Sequence, residues 1–345
     1  MTIIGRSLFV SDIKEQVLHS AFTIKVRFNS DKVIPRFYAY LFRTSLIRQT
    51  LSAHGNGTNI SNLNQQILSN LPVPLPDLST QNKIVNVISA YDDLIENNTR
   101  RIKVLESMAQ TLYQEWFVKF RFPGYKQVKK VESELGLIPG GWQVKELGDL
   151  YKTSSGGTPS RKVNEYYESG NINWVKTREL KDNFIFDTEE KITELGLKKS
   201  SAKLFPQNTV LIAMYGATIG KLAILANPST TNQAYCAILS QTDLFSYSYI
   251  FSYLLENREK IFSLGMGAAQ QNISQQVIKK FQILKPTNEV MKAFNEVANP
   301  ILETIQVLQQ KNINLRKTRD LLLPRLISGQ IDVENLDIHT GEIAA

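Results

Sequence analysis

The residues with the most chemical potential lie in a few polar loops. Ser154, Ser155, Thr158, Ser160, Arg161 and Lys162 share one short stretch with Gly156 and Gly157. Glycines let backbone amides approach a phosphate, and Arg and Lys neutralise its charge; a plain polar surface turn is the competing reading. Ile172–Arg178 reads as a strand ending in Lys176 and Arg178. Val210–Ile224 reads as a buried hairpin turning at Tyr215–Gly220, with Tyr215, Thr218 and Lys221 facing outward. Asn232, Gln233, Gln270, Gln271 and Asn272 add amides beside these elements. Asn and Gln pair bidentately with adenine, and Arg with guanine, although most loop amides are merely solvated. Between Val118 and Val131, Lys119, Arg121, Lys126, Lys129 and Lys130 occur with no acid. Those cations either track a phosphate backbone or favour the end of a preceding helix.

Catalytic signatures do not appear. There is no methyltransferase Asn/Asp-Pro-Pro-aromatic tetrad, glycine-rich cofactor loop, Walker loop, His-Glu-x-x-His or nuclease cluster of carboxylates with lysine. Asp92-Asp93 reads as a solvated helix face. One cysteine, Cys236, excludes a disulfide scaffold and multi-cysteine metal sites. The histidines His19, His54 and His339 are scattered, which argues against a histidine metal centre. The 345 residues suit about two domains, and 42% apolar content is enough for real cores. Forty Lys+Arg against 32 Asp+Glu give a net charge of +8, which suits a polyanionic partner. No apolar run is long enough for a membrane span, and no secretory signal opens the chain, so a soluble cytoplasmic protein is expected.

An internal repeat sets the architecture that positions these loops. His19-Ser-Ala-Phe-Thr-Ile-Lys-Val26 resembles Asn232-Gln-Ala-Tyr-Cys-Ala-Ile-Leu239 at an offset of 213 (232 minus 19). The same offset places Leu41 on Leu254 and Asn59-Ile-Ser61 on Asn272-Ile-Ser274, and aligns the helical patterns Pro35–Leu51 and Tyr247–Phe262. An offset near 215 pairs Ile4-Gly5-Arg6 with Ile219-Gly220-Lys221. At an offset of 210, two heptad seams align. The first is Ile84, Ile88, Tyr91, Ile95, Asn98, Ile102, Leu105, Ala109, Leu112 and Trp116; the second is Phe294, Ala298, Ile301, Ile305, Leu308, Asn312, Leu315, Arg319, Leu322 and Leu326. Seams this long predict two helices of roughly 50 Å that pair with each other. Pro300 predicts a local kink. An antiparallel pairing centred on positions 100 and 310 sets Asn98 against Asn312, whereas a parallel one buries each amide against an apolar residue. The two amides are therefore expected to touch and to set the register, with two similar domains held at opposite ends of a rod.

The whole chain resembles the specificity subunit of type I restriction–modification systems. The motifs that carry the likeness are Gly156-Gly-Thr-Pro-Ser160, Gly216-Ala-Thr-Ile-Gly-Lys221, Asn272-Ile-Ser274, Leu71-Pro-Val-Pro-Leu-Pro76 and Leu321-Leu-Leu-Pro-Arg-Leu-Ile-Ser-Gly-Gln330. The resemblance implies an α+β chain: two mixed α/β target recognition domains, the first partial, joined by two long antiparallel coiled-coil helices. The expected boundaries are 1–76 for the C-terminal part of a truncated first recognition domain, 77–121 for the first conserved helix and 122–136 for a basic linker. They continue with 137–286 for the complete second recognition domain, 287–327 for the second conserved helix and 328–345 for a tail. The resemblance also implies a non-catalytic subunit that reads double-stranded DNA and docks methyltransferase and restriction/translocase subunits, with no membrane partner. No cofactor is expected in this chain; S-adenosylmethionine, ATP and Mg2+ belong to the partner subunits. The alternative is a remnant scaffold that binds modification subunits and has lost bipartite recognition. Gly220 follows Leu137 by an offset of 83 (220 minus 137), but its counterpart Gly5 stands almost at the start of the chain. The first unit is therefore expected to lack its counterparts of the Ser154–Lys162 loop and the Trp174–Arg178 strand. A displaced start codon or frameshift, a recombination cassette, or a working shortened subunit would each account for that.

Overall fold

The computed structural model describes residues 7–10, 18, 20, 23–53, 63–176, 178–265, 272–334 and 336. Two compact units divide the chain: 1–99 with 311–345, and 100–310. Both long helices cross that division. The first spans Leu78–Tyr113 and continues as a π turn over Gln114–Val118; the second spans Asn288–Ile327 and stays helical through Pro300.

In the first unit, described secondary structure is all helical. Pro35–Leu41 starts with Pro at its first turn, where a missing N–H costs nothing, and is followed by Ser45–Ala53 and Gln65–Ser69. The Asn64 side chain caps Gln65–Ser69 by accepting from Ile67 N at 2.8 Å. Phe37, Tyr38, Tyr40, Leu41, Ile47 and Leu51 form a core with Ile84, Val85, Ile88, Leu323 and Leu326 of the long helices. Each fully buried aliphatic or aromatic side chain contributes about 2 kcal/mol. Buried Gln81 latches the entry to the first long helix, accepting from Ile34 N and donating to Lys32 O and Pro76 O. Asp92 accepts from Tyr40 Oη at 3.0 Å and from Arg319 Nη1 at 2.6 Å. The expectation of a solvated face therefore fails at Asp92, because a seam arginine and a core tyrosine both need an acceptor there. Burial and the Asp92 carboxylate push the Tyr40 hydroxyl up to about 12.

The helix segments of this unit run antiparallel. Asn98 Nδ2 donates to Asn312 Oδ1 at 3.0 Å, and further along the seam Asp92 meets Arg319. Asn312 Nδ2 lies 3.4 Å from Ile95 O and 3.3 Å from Thr99 Oγ1, so both ends of its amide are engaged. In the second unit the two helices also pack together, with Trp116 and Phe294 ring centroids 6.0 Å apart and Ile102 in one cluster with Leu302, Ile305 and Leu308.

The second unit is built on a five-stranded sheet in the order 151–155, 235–240, 210–213, 222–225, 183–185. The last pair is parallel and the others antiparallel. Side chains alternate between two buried faces. Val210, Ile212, Leu222, Ile224, Cys236 and Ile238 enter one core, while Leu211, Ala213, Ala223, Leu225, Tyr235 and Ala237 enter another. A strand covered on both faces reads as a continuous apolar run, which is why Val210–Met214 shows no alternation. The helix Tyr247–Glu256 joins the first of these cores. There Phe117, carried by the π turn, meets Tyr249 and Phe294 edge-on at 4.9 and 4.8 Å. Such a one-turn widening re-aims a side chain without ending a helix.

The repeat survives in the helices. The pattern Tyr247–Phe262 forms Tyr247–Glu256 and Arg258–Gly265, mirroring Pro35–Leu41 and Ser45–Ala53. Gln275–Lys279 repeats Gln65–Ser69 at the same offset as the heptad seams, and Ser274 caps it by accepting from Val277 N, as Asn64 does from Ile67 N. The strands are not mirrored. Residues 23–26 align with the strand 235–240 but are not in a strand. A strand needs hydrogen-bonded neighbours. The 235–240 strand has two, 151–155 and 210–213, and the described part of the first unit contains none. Ile4–Arg6 and Asn59–Ser61, which also entered the repeat, lie outside the described residues.

Candidate nucleic-acid interface

Strand register gathers most of the polar loops at one end of the five-stranded sheet. Ser155 lies opposite Cys236, and Ala213 opposite Tyr235, so two strands end where a third begins. Ile212 opposite Leu222 puts the 214–221 turn at the same end, and the parallel pairing of Asn183 with Ala223 brings Asp182 there. Thr231 pairs with Val175, and Asn232 N donates to Val175 O at 3.1 Å, which adds Lys176 and Arg178. Asn272 forms an isolated bridge with Tyr215. The rim thus collects Ser154, Ser155, Thr158, Lys176, Arg178, Tyr215, Thr218, Lys221, Gln233 and Asn272. Gln270 and Gln271 lie outside the described residues.

Several rim groups touch. Thr158 Oγ1 donates to Gln233 Oε1 at 2.6 Å. Ser155 Oγ donates to Gln275 Oε1 at 3.1 Å, and Gln275 Nε2 donates to Thr153 Oγ1. Lys203 Nζ donates to Ser154 Oγ at 3.1 Å. Sequence reasoning missed Gln275 and Lys203. The repeat of Gln65 as Gln275 was a signal for the first, but nothing local distinguished Lys203. The 214–221 turn is clamped from behind: Arg258 Nε donates to Gly220 O at 3.0 Å and Arg258 Nη2 to Asp182 Oδ1 at 2.5 Å. Asp182 Oδ1 also accepts from Leu222 N. The clamp leaves Tyr215 and Lys221 exposed at the tip.

The 154–162 loop corrects the glycine reading. A Cβ on Gly156 would collide with Thr231 O, and one on Gly157 with Ser201 Oγ. Gly157 N donates to Thr231 O at 2.9 Å. These glycines exist because protein backbone passes against them, so the Gly157 amide is committed internally and does not cradle a phosphate. Two of the cations are committed as well. Arg161 Nη2 lies 2.7 Å from Glu190 Oε2, with its guanidinium 4.4 Å from the Tyr167 ring centroid and 4.8 Å from that of Trp174. Lys176 Nζ lies 2.6 Å from Glu190 Oε1 and 3.5 Å from Glu189 Oε2. The Lys176 hydrogen bond holds the Glu190 carboxyl below the usual carboxylate range, and Glu190 in turn raises the Lys176 ammonium. No described carboxylate lies within ion-pair distance of Lys162, Arg178, Lys181, Lys203 or Lys221, all of them exposed. In the basic run, Glu115 reaches Lys119 at 2.6 Å and Arg121 at 3.4 Å, while Lys130 sits over the Phe120 ring.

Nothing among the described residues groups three or more His, Cys, Asp or Glu as metal ligands. Burial pushes the Cys236 thiol up to about 12, so it is no nucleophile in the folded chain. No described helix is long and apolar enough to cross a membrane.

A sequence model described as Type I restriction modification DNA specificity domain matches residues 6–107 and 139–321. The chain belongs to this family. It is 29% identical to the type I restriction enzyme MjaIX specificity subunit of Methanocaldococcus jannaschii, across 89% of this chain and 71% of that one. It is 26% identical to the HindI specificity subunit of Haemophilus influenzae, across 95% and 84%. In fold it is similar to the crystal structure of the type I restriction–modification S subunit from M. genitalium, with a TM-score of 0.58 at 14% identity, covering 86% of this chain and 73% of the other. As a family member, the chain is of mixed α+β class with two long helices, as its motifs and heptads imply.

Proposed function

We propose that the chain is the non-catalytic DNA sequence-specificity subunit of a type I restriction–modification complex. It reads target sequence in duplex DNA and docks methyltransferase and restriction subunits through its long helices. The observation that carries this reading is the rim of the second unit, where amides, hydroxyls and exposed cations from at least five separated segments converge, in a chain of the DNA specificity family. Cations supply sequence-independent affinity through phosphates, and amides such as Gln233 and Asn272 supply base choice. Residues 137–286 are the recognition domain and 77–121 and 287–327 the docking helices. Methyl transfer, ATP hydrolysis and cleavage take place in the partner subunits, within the cytoplasm.

Methylation sequencing of the source cell tests the reading. A bipartite methylated motif that disappears on deletion of this chain is the expected result. A half or palindromic motif would mean that a single recognition domain is used. No dependence on the chain would overturn the reading in favour of a scaffold that reads nothing. In vitro, affinity for duplex DNA is expected to fall steeply with salt.

A further inference from the structure

The second unit contains a charged cluster whose balance runs against the rest of the rim. Arg161 and Lys176 are its cations, and Glu179, Glu189 and Glu190 its carboxylates. Glu179 Oε2 accepts from Lys176 N at 2.7 Å, and Glu179 Oε1 from Glu189 N at 2.9 Å. Two positive against three negative side chains leave the cluster at formal charge −1, in a chain whose overall charge is +8. The cluster is built into the loop that it adjoins. Tyr167 Oη donates to Pro159 O at 2.6 Å and Trp174 Nε1 to Gly157 O at 3.1 Å, so the two rings flanking the Arg161 guanidinium also pin the backbone of the 154–162 loop. Trp174 N donates to Glu190 O at 3.3 Å, which ties the carboxylate's own backbone to the same ring-bearing strand. Glu190 Oε2 is buried and makes no hydrogen bond of good geometry, so its contact with Arg161 is ionic.

We infer that Glu190 is a positioning residue: it holds Arg161 and Lys176 as internal counter-ions, so that these cations shape the 154–162 loop while Lys162, Arg178, Lys181, Lys203 and Lys221 meet the DNA phosphates. The inference rests on the proposed DNA-reading function and divides its cations into two classes. A phosphate arriving at Arg161 or Lys176 would have to break an ion pair inside a cluster of its own sign. At Lys221 or Arg178 it displaces only solvent counterions.

Salt slopes separate the classes, because each phosphate contact contributes about 0.9 to the slope of log affinity against log salt. The assay uses the full chain and a duplex of mixed sequence, with the binding constant measured across a potassium chloride series. Lys221→Gln and Arg178→Gln are expected to flatten the slope by about 0.9 each. Lys176→Gln and Arg161→Gln are expected to leave it unchanged. Glu190→Gln, nearly isosteric, frees Arg161 and leaves Lys176 only its longer contact with Glu189, so the slope steepens by about 0.9, and by up to about 1.8 if phosphate also displaces Glu189. A Lys176→Gln or Arg161→Gln slope flattened as much as that of Lys221→Gln overturns the inference, as does an unchanged slope in Glu190→Gln. Thermal melting identifies variants that fail to fold, and the Glu190→Gln slope decides the matter if Arg161→Gln is one of them. A wild-type chain whose binding ignores salt would instead sink the DNA-reading function itself.

Discussion

Replacing Asn98 by leucine removes the donor to Asn312 Oδ1 and leaves that acceptor in a seam where Asn312 is only 3% exposed. An unsatisfied buried acceptor costs about 1–3 kcal/mol. Asn312 Nδ2 keeps Ile95 O and Thr99 Oγ1 in this variant, so the cost falls in the lower half of that range. Asn312→Leu is worse, because it strands the Asn98 amide and also deletes the contacts to Ile95 and Thr99; a loss of about 2–3 kcal/mol is expected. The double variant places leucine opposite leucine at adjoining heptad positions. Neither amide then lacks a partner, and apolar pairs at such positions are as stable as polar ones or more so. The double variant should therefore lie within about 1 kcal/mol of wild type, a coupling of at least about 2 kcal/mol between the two sites. Hydrogen exchange of the amides near 95–99 and 308–315 reads the local opening free energy without assuming one global transition in a chain of two units. A double variant destabilised by the sum of the two singles would refute pairing of the amides.

Gly157→Ala pushes a methyl into Ser201, with backbone atoms at 2.5 and 2.6 Å, and should destabilise the second unit by more than about 2 kcal/mol, read as a lower melting transition and soluble yield. Cys236 should ignore Ellman's reagent in the native chain and react once in denaturant; rapid native labelling would contradict its burial. The Glu190 carboxyl lies below its ordinary value of 4.5 in the folded chain, so its stabilising contribution is complete above that pH and drains away as pH falls through the lower folded value. Glu190→Gln should accordingly flatten the acid limb of the second unit's stability profile below pH 4.5, measured by fluorescence-detected unfolding.

The long helices were legible because their signal is local. A 4-3-4-3 spacing names a seam without knowledge of the partner, whereas the matched caps Asn64 and Ser274 emerged only from the structure, since the repeat sets Ser274 against Ser61. The rim was legible only as a list of polar residues. Which of them share an end of the sheet depends on strand register, and register depends on partners such as Thr231 beside Val175, from segments distant along the chain. Charge was only partly legible for a related reason. Arg161 in the glycine loop and Lys176 at the end of its strand read as free cations, but Glu190 arrives from another segment and pairs with both. Asp92 looked solvated for want of knowing that Arg319 faces it.

By itself, the sequence determined the family, the α+β class, the two long helices and the meeting of Asn98 with Asn312, since heptad spacing and repeat offsets are properties of order along a chain. Only the tertiary structure decided which cations stand exposed, why Gly156 and Gly157 admit no side chain, and that the strands of one repeat are not mirrored among the described residues of the other. Those outcomes turn on which distant backbone or carboxylate comes within about 3 Å, the range over which hydrogen bonds and ion pairs act.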